Sequence, residues 1–179
     1  MRVPHPCRAF GDSVGSLTLE FQNGWAHFSP HCQEWDLTSS PNMKYALLIL
    51  AFIGLTASSL ALREHYRTYG DAPCDINERW DCGIVNHSPY AVINGVPVAV
   101  IGIAGYLVLG LLAWKRRYAI MLALAIPALA FSLYLARIEQ HVLGVWCLYC
   151  AISLGTISLM TLLLAIAILA RAFRERVAE

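Results

Sequence analysis

Six cysteines stand at positions 7, 32, 74, 82, 147 and 150 of the 179-residue chain. Cys147-Leu148-Tyr149-Cys150 is a C-x-x-C. At the start of a helix such a pair faces unpaired backbone N–H groups and the positive end of the helix dipole, which favour the thiolate that attacks disulfides. Zinc could use the same spacing but needs two further ligands, which Cys74, Cys82, His87 or His141 would have to supply. The lack of a second C-x-x-C argues against it, and no metal is expected. Cys74 and Cys82 flank seven residues of an acidic stretch. They read either as a structural staple or as the mobile member of a two-pair relay, in which one pair exchanges with an outside protein and the other with a partner in the membrane. Cys7 and Cys32 lie in a polar, unpatterned stretch and read as incidental.

The segments that must carry these residues are unusually apolar. Hydrophobic residues make up 58% of the chain and charged residues 14%, against about 45–50% and about 25% in ordinary soluble domains. The net charge of +1 gives no electrostatic case for nucleic acid. Four runs contain no Asp, Glu, Lys or Arg: Tyr45–Leu62, Ser88–Trp114, Tyr118–Ala136 and Gln140–Ala170. A spanning helix needs about 20 residues, so the expected class is an all-α integral membrane protein. Its architecture is a four-transmembrane-helix bundle with a capping extracytoplasmic loop, the helices running about 43–66, 97–114, 118–137 and 146–170. Residues 172–179 then form a cytoplasmic tail. A transporter would want an ionisable group deep in a span, and the four runs hold none.

Lys44, Lys115, Arg116, Arg117, Arg171, Arg174 and Arg176 gather at one set of helix ends. By the positive-inside rule both termini are cytoplasmic, with the Arg63–Pro97 loop and the Glu139–Val145 link facing the periplasm or exterior of a cytoplasmic membrane. Arg63–Tyr69 is expected to prolong the first helix, and Gly70-Asp71-Ala72-Pro73 to stop it. Asn94-Gly95 signals a turn, Pro97 suits the start of the second span, and Pro89–Ile93 reads as an apolar piece lying flat at the interface. Residues 1–42 are either a misassigned start upstream of Met43 or a genuine, poorly ordered tail.

In order along the chain, several elements resemble the vitamin K epoxide reductase family in its bacterial, disulfide-forming branch. They are Cys74-x7-Cys82, Ser88-Pro89-Tyr90-Ala91, Gly95-Val96-Pro97-Val98 leading to Gly102 and Gly105-Tyr106, Tyr134-Leu135-Ala136-Arg137-Ile138-Glu139, and Cys147-Leu148-Tyr149-Cys150. The likeness covers residues 43–171. It implies a helix bundle around a quinone, ubiquinone or menaquinone, as electron acceptor. It further implies that Cys150 contacts the quinone, that Cys147 is its disulfide partner, that Cys82 attacks Cys147, and that Cys74 meets the protein substrate. That substrate would be a separate thioredoxin-fold oxidant of the DsbA type. Ser88 matches a family serine near the active site, with turn formation as the alternative. Tyr106, Phe131 and Tyr134 are aromatic candidates for the quinone wall, or else ordinary packing residues.

Two positions depart from the vertebrate members, Val98 where they carry a quinone-holding asparagine and Leu154 where they carry a tyrosine. The resemblance therefore implies quinone reduction coupled to disulfide formation rather than epoxide reduction. The order of the pairs, spaced first and C-x-x-C second, is the reverse of that in DsbB-type proteins. Alternatives are a non-catalytic membrane protein with structural disulfides, or a quinone or vitamin K epoxide reductase without a role in protein disulfide formation. His87 and His141 are candidates to move protons or plain loop residues, and Glu139 to orient a helix end or move protons.

Overall fold

The computed structural model describes residues 41–68 and 73–177. Cys7, Cys32, the rest of residues 1–40 and the stop at Gly70-Asp71-Ala72 lie outside them. The chain is mainly helical: α1 (Pro41–His65), a short α2 (Cys82–Asn86), α3 (Val98–Trp114), α4 (Tyr118–Ile138) and α5 (Leu148–Val177). Between α2 and α3 a single 3-10 turn, Pro89–Ala91, leads into strands β1 (Val92–Ile93) and β2 (Val96–Pro97).

Among the described residues three segments are long and apolar enough to cross a membrane, Asn42–His65, Tyr118–Leu143 and Leu148–Val177, and α3 is a shorter apolar helix. α1 packs against α3 and α5, and α4 packs chiefly against α5. The shared core holds Leu47, Ala51, Leu109, Met121, Met160 and Leu164. Large apolar side chains such as Phe52, Leu107, Ile126, Leu133 and Leu169 point outward instead. Only a hydrocarbon solvent makes that arrangement inexpensive.

With lipid outside, helices associate through close backbone approach at small residues. A methyl group on Gly54 of α1 would overlap the Tyr106 ring of α3, and one on Gly102 would come within 2.7 Å of the Ser58 hydroxyl oxygen. Gly110 faces the Ala51 methyl in ordinary contact. At the end remote from Cys74, Cys82, Cys147 and Cys150, the Lys44 ammonium sits 3.9 Å from the centre of the Trp114 ring, a cation–π contact joining α1 to α3.

One expectation needs correction, and three others gain detail. α1 does not run on through Arg67. It stops at His65, whose ring Nδ1 lies 2.6 Å from the Asn86 carbonyl of α2, and Tyr66 and Arg67 follow in a tighter turn, their N–H groups donating to the Arg63 and Glu64 carbonyls. The segment Pro89–Ile93 is a 3-10 turn followed by a strand that pairs with β2 across Asn94-Gly95. Both turn residues have positive φ, 50° and 82°, the geometry of a two-residue hairpin turn. The Glu139–Val145 link is partly helical. Glu139–Leu143 continues α4 as a turn of π-helix, and left-handed Gly144 ends it. The expected tail is helical as far as residue 177, where α5 ends, with Arg171 and Glu175 paired at 3.3 Å.

Candidate active site

The loop bearing the first cysteine pair is built by side-chain oxygens that accept backbone N–H groups. Asn77 Oδ1 accepts from Arg79 and Trp80, closing a tight turn. Asp75 Oδ1 accepts from Cys82 at 2.9 Å and from Gly83 at 3.3 Å, and Asp81 Oδ1 caps α2 through Ile84 N–H at 2.7 Å. Capping of this kind stabilises a helix end by about 1 kcal/mol. It fixes Cys82 as the first residue of α2, with Cys74 disulfide-bonded to it.

This loop is clipped to the approach of the C-x-x-C. Trp146 N–H donates to the Arg79 carbonyl at 2.8 Å, and Asp81 N–H donates to the Trp146 carbonyl at 3.1 Å. The Trp80 and Trp146 rings lie 6.5 Å apart beside this ladder. As a result Cys74, Cys82 and Cys147 share one buried apolar cluster with Val85 and Val145, and Cys150 packs against it. The four sulfurs expected to work together are brought to one end of the helix bundle.

Cys147 is not on the first turn of α5, as expected, but immediately before it. Its carbonyl accepts the Ala151 N–H at 2.9 Å, while Leu148 starts the helix. Its own N–H donates to Glu139 Oε2 at 3.0 Å, so the π-turn after α4 holds the C-x-x-C in place. On the other side, Asn86 Nδ2 donates to the Cys82 carbonyl at 2.9 Å and lies 3.6 Å from Cys147 Sγ. Cys147 and Cys150 are both thiols. The hydrogen bond from the Cys150 thiol, opposed by burial, holds the Cys147 thiol below the ordinary cysteine range.

Behind Cys150 a cavity of about 450 Å³ opens among α1, α3, α4 and α5 beneath α2, within the usual range for small-molecule sites. Cys150, Ser88, Tyr106, Phe131, Leu135 and His65 are among its lining residues.

The sequence profile of the vitamin K epoxide reductase family matches residues 45–168, more than two thirds of the chain. The chain belongs to that family. Its members are oxidoreductases of the membrane that use quinone-type substrates. No curated protein matches the chain closely enough to add a relative to that assignment.

In this vitamin K epoxide reductase relative, Cys150, Ser88, Tyr106 and Phe131 line the cavity, but Tyr134 does not. Tyr134 is 59% exposed, on the outer face of α4. The cavity arc of α4 runs through Ala128, Phe131, Ser132, Leu135 and Glu139, and at about 100° per residue Tyr134 falls just beyond its edge. Tyr106 donates its hydroxyl to the Ser153 carbonyl at 2.9 Å, and Ser88 donates to the Val85 carbonyl at 2.8 Å. Ser88 thus serves the turn and faces the cavity at once. His87 Nδ1 and Nε2 lie near the Gly83 and Arg67 carbonyls, and His141 is exposed. Sequence reasoning missed Asn86, His65 and the Trp80/Trp146 clip. Asn86 stands four residues after Cys82, one helical turn on, and that spacing is the signal that could have found it.

Proposed function

We propose that the protein is a membrane thiol–disulfide oxidoreductase that reoxidises a thioredoxin-fold partner of the DsbA type and passes the electrons to a membrane quinone. The observation that carries this reading is the convergence of two cysteine pairs, one oxidised and one reduced, in one buried cluster at the mouth of an apolar cavity. The bundle is read as four spans. α3, at 17 residues, reaches about 25 Å, close to the hydrocarbon thickness. In this reading both termini lie in the cytoplasm and the cysteines on the outer side, an orientation that the distribution of Lys and Arg supports.

The partner's thiolate attacks Cys74 of the Cys74–Cys82 disulfide, releasing Cys82. Cys82 attacks Cys147 of a Cys147–Cys150 disulfide, forming a Cys82–Cys147 bond and releasing Cys150 as thiolate. Cys74, once released by the partner, attacks Cys82 and frees Cys147. The outcome is a protein with Cys74–Cys82 closed and Cys147 and Cys150 reduced. A quinone in the cavity supplies an acceptor for two electrons and two protons. The residues present fit it: Tyr106 and Phe131 offer ring contacts, the rest of the lining is largely apolar, and Cys150 reaches the same space. Direction follows from potential. A DsbA-type couple near −120 mV is drained only by a more oxidising acceptor, and 30 mV corresponds to about 1.4 kcal/mol for two electrons.

The test is redox trapping together with reconstitution. Cys74→Ala should accumulate a Cys82–Cys147 mixed disulfide, visible after acid quenching and non-reducing electrophoresis. With a reduced thioredoxin-fold partner, wild type should bleach quinone absorbance and Cys150→Ala should not. If the two behave alike, the terminal assignment is wrong; inert structural bridges would give no mixed disulfide.

A further inference from the structure

Asn86 is nearly buried, yet its side-chain amide is aimed at a sulfur atom. One amide nitrogen donates to the Cys82 carbonyl and lies within hydrogen-bonding distance of Cys147 Sγ. The contact therefore ties the helix that begins with Cys82 to the sulfur that Cys82 attacks.

We propose that Asn86 is a catalytic residue of the relay, the N–H donor that stabilises Cys147 as the leaving thiolate when Cys74 resolves the Cys82–Cys147 mixed disulfide. The inference rests on the relay described above. In that step Cys74 Sγ bonds to Cys82 Sγ, the Cys82–Cys147 bond breaks, and its electron pair passes to Cys147 Sγ. No external oxidant is needed, because the net change is an exchange of one disulfide for another. A leaving thiolate departs faster when it is better stabilised. Asn86 sits in the same short helix as Cys82, so it reaches the departing sulfur whenever α2 is docked for exchange.

Other groups surround Cys147. α5 contributes Cys150 and Tyr149, and the π-turn contributes Glu139 on the backbone N–H. The Cys150 thiol also lowers Cys147 toward thiolate. In the mixed disulfide Cys150 is itself the newly released thiolate, with no proton to give until it acquires one. The Asn86 amide carries its hydrogens at every stage, so it is the constant donor to this sulfur.

The experiment uses full-length protein in detergent with Cys7→Ser, Cys32→Ser and Cys150→Ser, leaving Cys147 as the one thiol once Cys74–Cys82 is closed. Thiolate ultraviolet absorbance is followed against pH. Asn86→Leu should raise the midpoint by roughly one pH unit or more, the loss expected for a hydrogen bond to a charged acceptor. Asn86→Gln, which keeps the amide, should recover part of it. Asp81→Ala removes the cap of α2 without touching the amide, and should leave the midpoint in place.

In the six-cysteine protein turning over with a thioredoxin-fold donor and quinone, Asn86→Leu should raise the steady-state Cys82–Cys147 mixed disulfide roughly threefold to tenfold. An unmoved midpoint, an equal rise in Asp81→Ala, or a risen midpoint without the mixed disulfide each overturns the inference. The Cys74→Ala trap separates the two levels: without trapped species the relay itself fails, whereas trapped species with an unchanged Asn86→Leu protein refute only the role of Asn86.

Discussion

Glu139 and Asn86 grip Cys147 from opposite sides, the carboxylate on its N–H and the amide on its sulfur. Glu139 is only 3% exposed, so removing its oxygens leaves a buried donor with no replacement. Glu139→Ala should cost about 1–3 kcal/mol by chemical denaturation in detergent. Glu139→Gln keeps an acceptor oxygen at the same reach and should stay within about 1 kcal/mol of wild type. Equal losses in the two variants would mean that the charge, not the accepted hydrogen bond, is what holds the C-x-x-C. The four cysteines and Glu139 could be picked out from the chain alone, because sulfur pairs and a lone carboxylate at a span edge are conspicuous. The grip could not. It depends on the π-turn that begins at Glu139 and on the return of the chain to Cys147, and apolar patterning encodes neither.

The long helices were readable because a charge-free run of such length, bounded by basic clusters, suits a bilayer and little else. Their contacts were not, since in lipid both faces of a helix are apolar and periodicity no longer separates inside from outside. Tyr134 shows the consequence: it has the same residue type as Tyr106 but points away from the cavity. Glycine carries the missing information. Because Tyr106 lies flat against Gly54, Gly54→Val should displace the ring, destabilise the fold by about 1–3 kcal/mol and raise the quinone KM with a smaller effect on kcat. A normal KM would show that the Tyr106 ring is not part of the quinone wall. The hairpin behaves differently. Asn94-Gly95 was legible as a turn, yet the pairing of Val92 and Ile93 with Pro97 and Val96 was not, because two-residue strands leave no alternation to detect.

At the scale of the molecule, the chemistry depends on both cysteine pairs occupying one rim. Terminal tags should both be protected from protease in intact spheroplasts and cleaved after lysis, while Glu78→Cys, on the exposed part of the loop between Cys74 and Cys82, should react with a thiol reagent that cannot cross the membrane. Tags cleaved in intact spheroplasts would reverse the orientation without separating the pairs. α5 sets the depth at which this happens. Its stretch from Leu148 to Ala170 is free of acidic and basic residues and about 35 Å long, enough for the hydrocarbon layer, and Arg171–Val177 adds about 10 Å more. In the proposed orientation the arginines at 171, 174 and 176 lie among the lipid phosphates. On that orientation, any pull that drew the C-x-x-C further out of the bilayer would drag them toward the oily interior, so the proposed partner would have to peel away the overlying loop rather than lift the C-x-x-C beneath it.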